Sequence, residues 1–190
     1  MLNFFALLQS WHEEAIYGNM ASELWQKLRL VIVQSTEVEL PIDAKRSPFN
    51  IGLDLDLPPF RAGQVESLAR CYELYLSADK IEQLMELVAG HPYLVQLAFY
   101  CLAQEKLTWE ELMQNAATDA GIYHKHLQRL LGNLNAHPDL AAAYQQVVQA
   151  TEPVNLERHL AFKLRGMGLA NLQENAVTPS CQLYRQYFLH

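Results

Sequence analysis

A strand without a visible neighbour is the feature that most restricts this sequence. Leu28-Arg29-Leu30-Val31-Ile32-Val33-Gln34 is short, β-branched and nearly all apolar, as a strand covered on both faces in a parallel sheet would be. What precedes it has helical spacing. Phe4, Phe5, Leu7, Leu8 and Trp11 recur on one face and predict an amphipathic helix from about Asn3 to Ile16. Gly18-Asn19 breaks that helix, and a second short one is expected over Ala21 to Lys27, carrying Leu24 and Trp25. A lone parallel-type strand leaves its backbone donors and acceptors unpaired. The chain therefore reads as a piece of a larger α/β sheet, unless Leu53 to Leu57 pairs with the strand in a very small one.

Beyond a proline-rich connection from Pro41 to Pro59, the sequence turns almost wholly helical. Arg61 to Tyr75 places Val65, Leu68, Ala69, Tyr72 and Leu76 on one stripe. Ser77 suits the N-cap of a helix that turns Ile81, Leu84, Met85 and Val88 inward. Gly90 closes that helix and Pro92 opens the next, the usual asymmetry of glycine past an end and proline inside a start. Tyr93 to Gln104 is apolar on most sides and predicts a central helix. Thr108-Trp109-Glu110-Glu111 has the pattern of a capping box. Three more helices follow, near Ile122 to Asn135, Asp139 to Gln149 and Leu156 to Met167. Leu169 to Gln173 and Ala176 to Pro179 flank Glu174-Asn175 as a short hairpin. Three helices and a hairpin are the plan of a winged helix. The expected class is mainly α: an edge of α/β core over 1–58, a helical lid bundle over 59–118, and a winged-helix-like domain over 119–190.

Composition narrows the function classes. With 51% hydrophobic and 18% charged residues the chain is of globular type. No apolar run reaches the roughly 18 residues needed to cross a bilayer. The apolar start runs into Trp11-His12-Glu13-Glu14, with no basic residue ahead of it and no small-residue cleavage site, so it reads as a helix and not as a signal peptide. A cytoplasmic location is the expectation. The net charge of −7 opposes nucleic acid as the main partner. So does the terminal stretch, where Arg158, Lys163, Arg165 and Arg185 face Glu152, Glu157 and Glu174. Cys71, Cys101 and Cys181 are scattered, without metal spacing, and read as small hydrophobes. His124 and His126, two apart on a helix, point to different faces and cannot chelate together. Neither an HExxH zinc pattern nor a GxSxG nucleophile elbow occurs.

Five blocks, FFALLQSWHEEA, WQKLRLVIVQSTE, SPFNIGLDLDLPPF, GHPYLVQLA and KLRGMGLANLQENAVTPSCQLYRQYF, cover nearly the whole chain in order. Together they resemble the AAA-like domain of multidomain bacterial signalling proteins, common in cyanobacteria. That domain belongs to the signal-transduction P-loop ATPases, which include plant resistance proteins and apoptotic scaffolds. The family module opens with a GxxxxGK[ST] loop and continues to a strand with acidic residues for magnesium. Neither motif occurs in these 190 residues. The match is to the back part of the module only, and the chain is expected not to hydrolyse nucleotide by itself.

The resemblance also gives the candidate residues their roles. Gln34, Ser35 and Thr36 follow the strand; from the residues alone they are polar groups ending it. The family has its sensor of the terminal phosphate there. Gly90-His91-Pro92 matches the family's glycine-x-proline turn, where the proline packs on the adenine ring; read plainly, it is a helix–helix turn. Arg165 and Arg185 could face phosphate or an acidic partner, or simply complement helix ends. The methionine-histidine-aspartate triplet that relatives carry in the terminal domain is absent.

The implied function is a non-catalytic regulatory or interaction module derived from such a switch. No cofactor is required, and ATP or ADP enters only if a phosphate-binding half is present. Its partner would be a protein or a second copy, held through the exposed sheet edge around Phe4, Phe5, Trp25 and the Leu28 strand. Two alternatives stand beside this: the back half of an active ATPase completed from elsewhere, and a winged-helix DNA binder.

Overall fold

The computed structural model describes residues 2–17, 22–29, 31, 55, 57–174 and 176–189. It divides into two compact units, Met1–Leu57 and Pro58–His190, each described by itself.

In the first unit α1 (Leu2–Tyr17) packs against α2 (Ser22–Trp25). The Trp11 and Trp25 rings stack with centroids 5.0 Å apart, and Gln26 Nε2 donates to the Ala15 carbonyl at 3.1 Å. Leu8 is buried, while Leu7, Ile16 and Leu24 remain exposed. Leu28, Arg29 and Val31 carry no strand assignment; Arg29 instead donates to the Gln26 carbonyl at 2.6 Å. The rest of the expected strand lies outside the described residues, as do the Phe4 and Phe5 side chains.

The second unit is mainly helical, with one small sheet. Its first part holds α3 (Ala62–Cys71), α4 (Ala78–Val88), α5 (Pro92–Ala103) and α6 (Trp109–Asn115). α5 is the centre: Leu94, Val95, Ala98 and Phe99 are all fully buried, as a helix apolar on most sides requires. Local capping sets the starts. Ser77 Oγ accepts from the Lys80 amide at 3.4 Å. In the Thr108 box the Thr108 amide donates to Glu111 Oε2 at 2.7 Å, and the Glu111 amide donates to Thr108 Oγ1 at 3.2 Å. Two of the helices that end in a left-handed residue carry a glutamate there. Glu73 (φ 59°) ends α3 and Glu105 (φ 52°) ends α5. In each case the next amide reaches back five residues: Leu74 to the Ala69 carbonyl at 2.9 Å, Lys106 to the Cys101 carbonyl at 3.0 Å. This motif cuts α3 at Cys71, four residues short of the Tyr75 that periodicity predicts.

The remainder runs α7 (His124–Asn135), α8 (Pro138–Gln149), β1 (Val154–Asn155), α9 (Arg158–Gly166), β2 (Ala170–Gln173), β3 (Ala176–Pro179) and α10 (Gln182–Phe188). The sheet is antiparallel in the order β1-β3-β2. Val177 stands opposite both Val154 and Leu172, and it is buried in one core with Tyr144, Leu164, Leu169 and Leu183. The hairpin is where the sequence places it. β1 is not foreseen, and because Val154 and Asn155 are drawn onto β3, α9 begins at Arg158 and not at Leu156. α10 packs against α8, α4 and β3. It thereby ties the end of the unit to its first helices. Among the described residues no helix is long and apolar enough to cross a membrane.

Candidate functional site

The Gly90-His91-Pro92 turn is fixed by its backbone. Ala89 (φ 50°) and Gly90 (φ 70°) both lie in the left-handed region. The Gly90 carbonyl accepts from the Phe60 amide at 2.8 Å, and a Cβ on Gly90 would sit 2.1 Å from the Phe60 carbonyl oxygen. Only glycine fits, for conformation and for space. His91 is the N-cap of α5 and its carbonyl accepts from the Val95 amide at 3.0 Å, while Pro92 occupies the first helical turn, where no donor is lost. Pro92 faces solvent, and Tyr93 beside it is 47% exposed.

Behind this turn lies a cluster of rings. The His91 and His126 centroids are 6.0 Å apart, Tyr93 and His126 5.4 Å, and His126 and Tyr184 5.8 Å. His126, on α7, is only 6% exposed. Its Nε2 lies 2.7 Å from Tyr184 Oη, and Arg129 Nη2 lies 3.4 Å from its Nδ1. A guanidinium can only donate, so Nδ1 is the acceptor and the ring proton sits on Nε2, donated to Tyr184 Oη. Burial, reinforced by His91 and then Arg129, lowers the imidazole to about 4, so His126 is neutral at pH 7. The cluster thus joins α5, α7 and α10 through groups 58 residues apart in sequence. It offers planar rings, an exposed proline and the start of a helix. Of these groups only Pro92 and Tyr93 are exposed, while His126 and Tyr184 are buried.

The profile of the AAA-like domain matches residues 1–190. The chain belongs to the AAA-like domain family. No curated protein and no solved structure matches it.

In this AAA-like domain Arg165 and Arg185 lie on different helices, α9 and α10. Gln34, Ser35 and Thr36 lie outside the described residues. Arg165 is exposed in the last turn of α9. Arg185, half-buried on α10, donates to the Ala150 carbonyl at 2.6 Å and the Val148 carbonyl at 3.5 Å, satisfying acceptors at the end of α8. His124 turns away from His126 and meets Asp119 at 3.1 Å. Among the described residues no three His, Cys, Asp or Glu side chains are grouped to hold a metal. Burial pushes the Cys181 thiol up to about 12, which leaves it un-ionised and a poor nucleophile. His126 and Tyr184 were missed by sequence reasoning, which weighed His126 only as a metal ligand. One signal was there: His126 falls on the same helical stripe as Leu127, Leu130 and Leu134, all buried.

Proposed function

We propose that this AAA-like domain is a non-catalytic regulatory and interaction module derived from a bacterial signal-transduction switch, meeting an adenine nucleotide only where a phosphate-binding half is present. A helical lid and a winged-helix-like end would convert the state of a bound adenine nucleotide into the exposure of partner surfaces. The observation that carries the reading is the location of the Gly90-His91-Pro92 turn. The residues that the family sets against adenine are locked to Phe60 and lodged beside the His126–Tyr184 pair, so a ligand at the turn bears on α10. The absence of GxxxxGK[ST] from these 190 residues supports the non-catalytic assignment. Pro92, with Tyr93 beside it, supplies the apolar plate. The 190-residue chain should release no phosphate from magnesium ATP above a buffer blank. Steady turnover that survives repurification would overturn the reading.

A second reading has these residues complete an active ATPase, with the phosphate-binding half supplied by another segment or chain. The exposed Leu7, Ile16 and Leu24 favour it, as apolar surface suited to a partner. Translating the DNA upstream of the Met1 codon separates the two, since only the second requires a GxxxxGK[ST] loop in frame or in a neighbouring chain.

A further inference from the structure

The His126–Tyr184 pair has a geometry that ordinary core packing does not require. A buried polar pair must be fully satisfied or it costs stability, so an apolar pair of similar shape is the simpler core solution. Here the pair stands where three elements converge. His91 and Tyr93 reach it from the start of α5, Arg129 from the next turn of α7, and Tyr184 from α10. On its other side α10 packs against α4, the helix that leads into the same turn. The turn therefore touches α10 by two routes: along α4, and through the imidazole.

We infer that His126 is a transmission residue: through its hydrogen bond to Tyr184, a displacement of the 90–93 segment loosens or tightens α10. The inference deepens the reading above and rests on it for the identity of the input, an adenine nucleotide at the turn. The coupling itself needs no nucleotide. A push on His91 or Tyr93 re-angles the imidazole, the 2.7 Å bond lengthens, and α10 is held less firmly to α7. The Arg185 contact at the end of α8 and the burial of Leu183 are separate attachments of α10. The response is accordingly a local opening of α10, not unfolding of the unit.

The test is a cycle of four full-length proteins: wild type, His91→Ala, Tyr184→Phe and the pair. Hydrogen–deuterium exchange is followed in a peptide covering residues 182–189, with residues 109–115 as the internal control. A second cycle uses Tyr93→Leu, because this half-exposed ring can be removed with little risk to the fold. With Tyr184 present, each turn substitution is expected to speed exchange in 182–189 by about tenfold and to leave the control unchanged. With Tyr184→Phe in place the same substitution should add less than about twofold, because the route is already cut. Effects that simply multiply in the Tyr93→Leu cycle, or that appear equally in the control peptide, overturn the inference and leave the pair as plain core. Should His91→Ala unfold the chain, the Tyr93→Leu cycle decides alone. Because no nucleotide is added, this result is independent of the phosphate-release assay, and either idea can fail without the other.

Discussion

The described residues of the two units differ in how far local pattern has been converted into burial. Both begin with amphipathic helices whose spacing is plain in the sequence. In the first unit Leu8 alone, among the described residues, is a buried hydrophobe, and Leu7, Ile16, Leu24, Leu55 and Leu57 stay exposed. In the second a continuous core runs from Val65 to Phe188. Periodicity names the elements in both, but stability comes from apolar area removed from water. The comparison teaches that a helix pattern is a statement about what a face wants, not about whether it has it.

The sharpest way to break the comparison is to cut it. A fragment of residues 58–190 should melt cooperatively by circular dichroism, because the core described above lies within it. A gradual melt of that fragment would mean that this core does not fold as one unit. Next in size is Gly90→Ala. The added methyl meets the Phe60 carbonyl at 2.1 Å in a left-handed conformation, so a loss of roughly 3 kcal/mol or more in urea unfolding of 58–190 is expected.

Acid should act on the second unit through His126. Its folded value, about 4, lies below the ordinary 6.5 of an unfolded histidine. Between those values the unfolded chain binds the proton and the folded chain does not. Stability is therefore full above about pH 6.5 and falls as pH drops toward 4, by up to about 3 kcal/mol. Urea midpoints measured from pH 7 to 4 check this, and His126→Gln should flatten that part of the profile. The smallest effect is Arg185→Met, which keeps the apolar stem but removes the donors to Ala150 and Val148. A loss of about 1–2 kcal/mol is expected, read as earlier exchange at the end of α8.

Legibility in the sequence followed the range of the interaction. Ser77, the Thr108–Glu111 box and the Gly90–Pro92 joint act over three or four residues, and each lies where its residue type predicts. The hairpin is legible for the same reason. α3 ends early because Glu73, not a glycine, takes the left-handed position, which no propensity signals. β1 is two residues long and exists only because β3 offers a free edge. Of the candidate site, the turn was visible and its surroundings were not. Nothing near His126 announces Tyr184, since the pairing is made by the way α7 and α10 pack. The roles of Arg165 and Arg185 could not be read from charge alone, because a guanidinium at a helix end serves solvent, dipole or carbonyls equally well.

The two glutamates that end α3 and α5 have a consequence for heat tolerance. Glycine holds the left-handed position without steric cost, whereas a side chain there strains it by about 1 kcal/mol. Both joints hold this strain, while α9 closes with Gly168 at φ 72°. The first half of the second unit is thus built below the melting temperature its own topology permits. Replacing Glu73 and Glu105 by glycine should raise that temperature by a few degrees. Its helices meet at joints where a modest strain is already present, and the ring cluster sits at the joint where Ala89 and Gly90 are both left-handed.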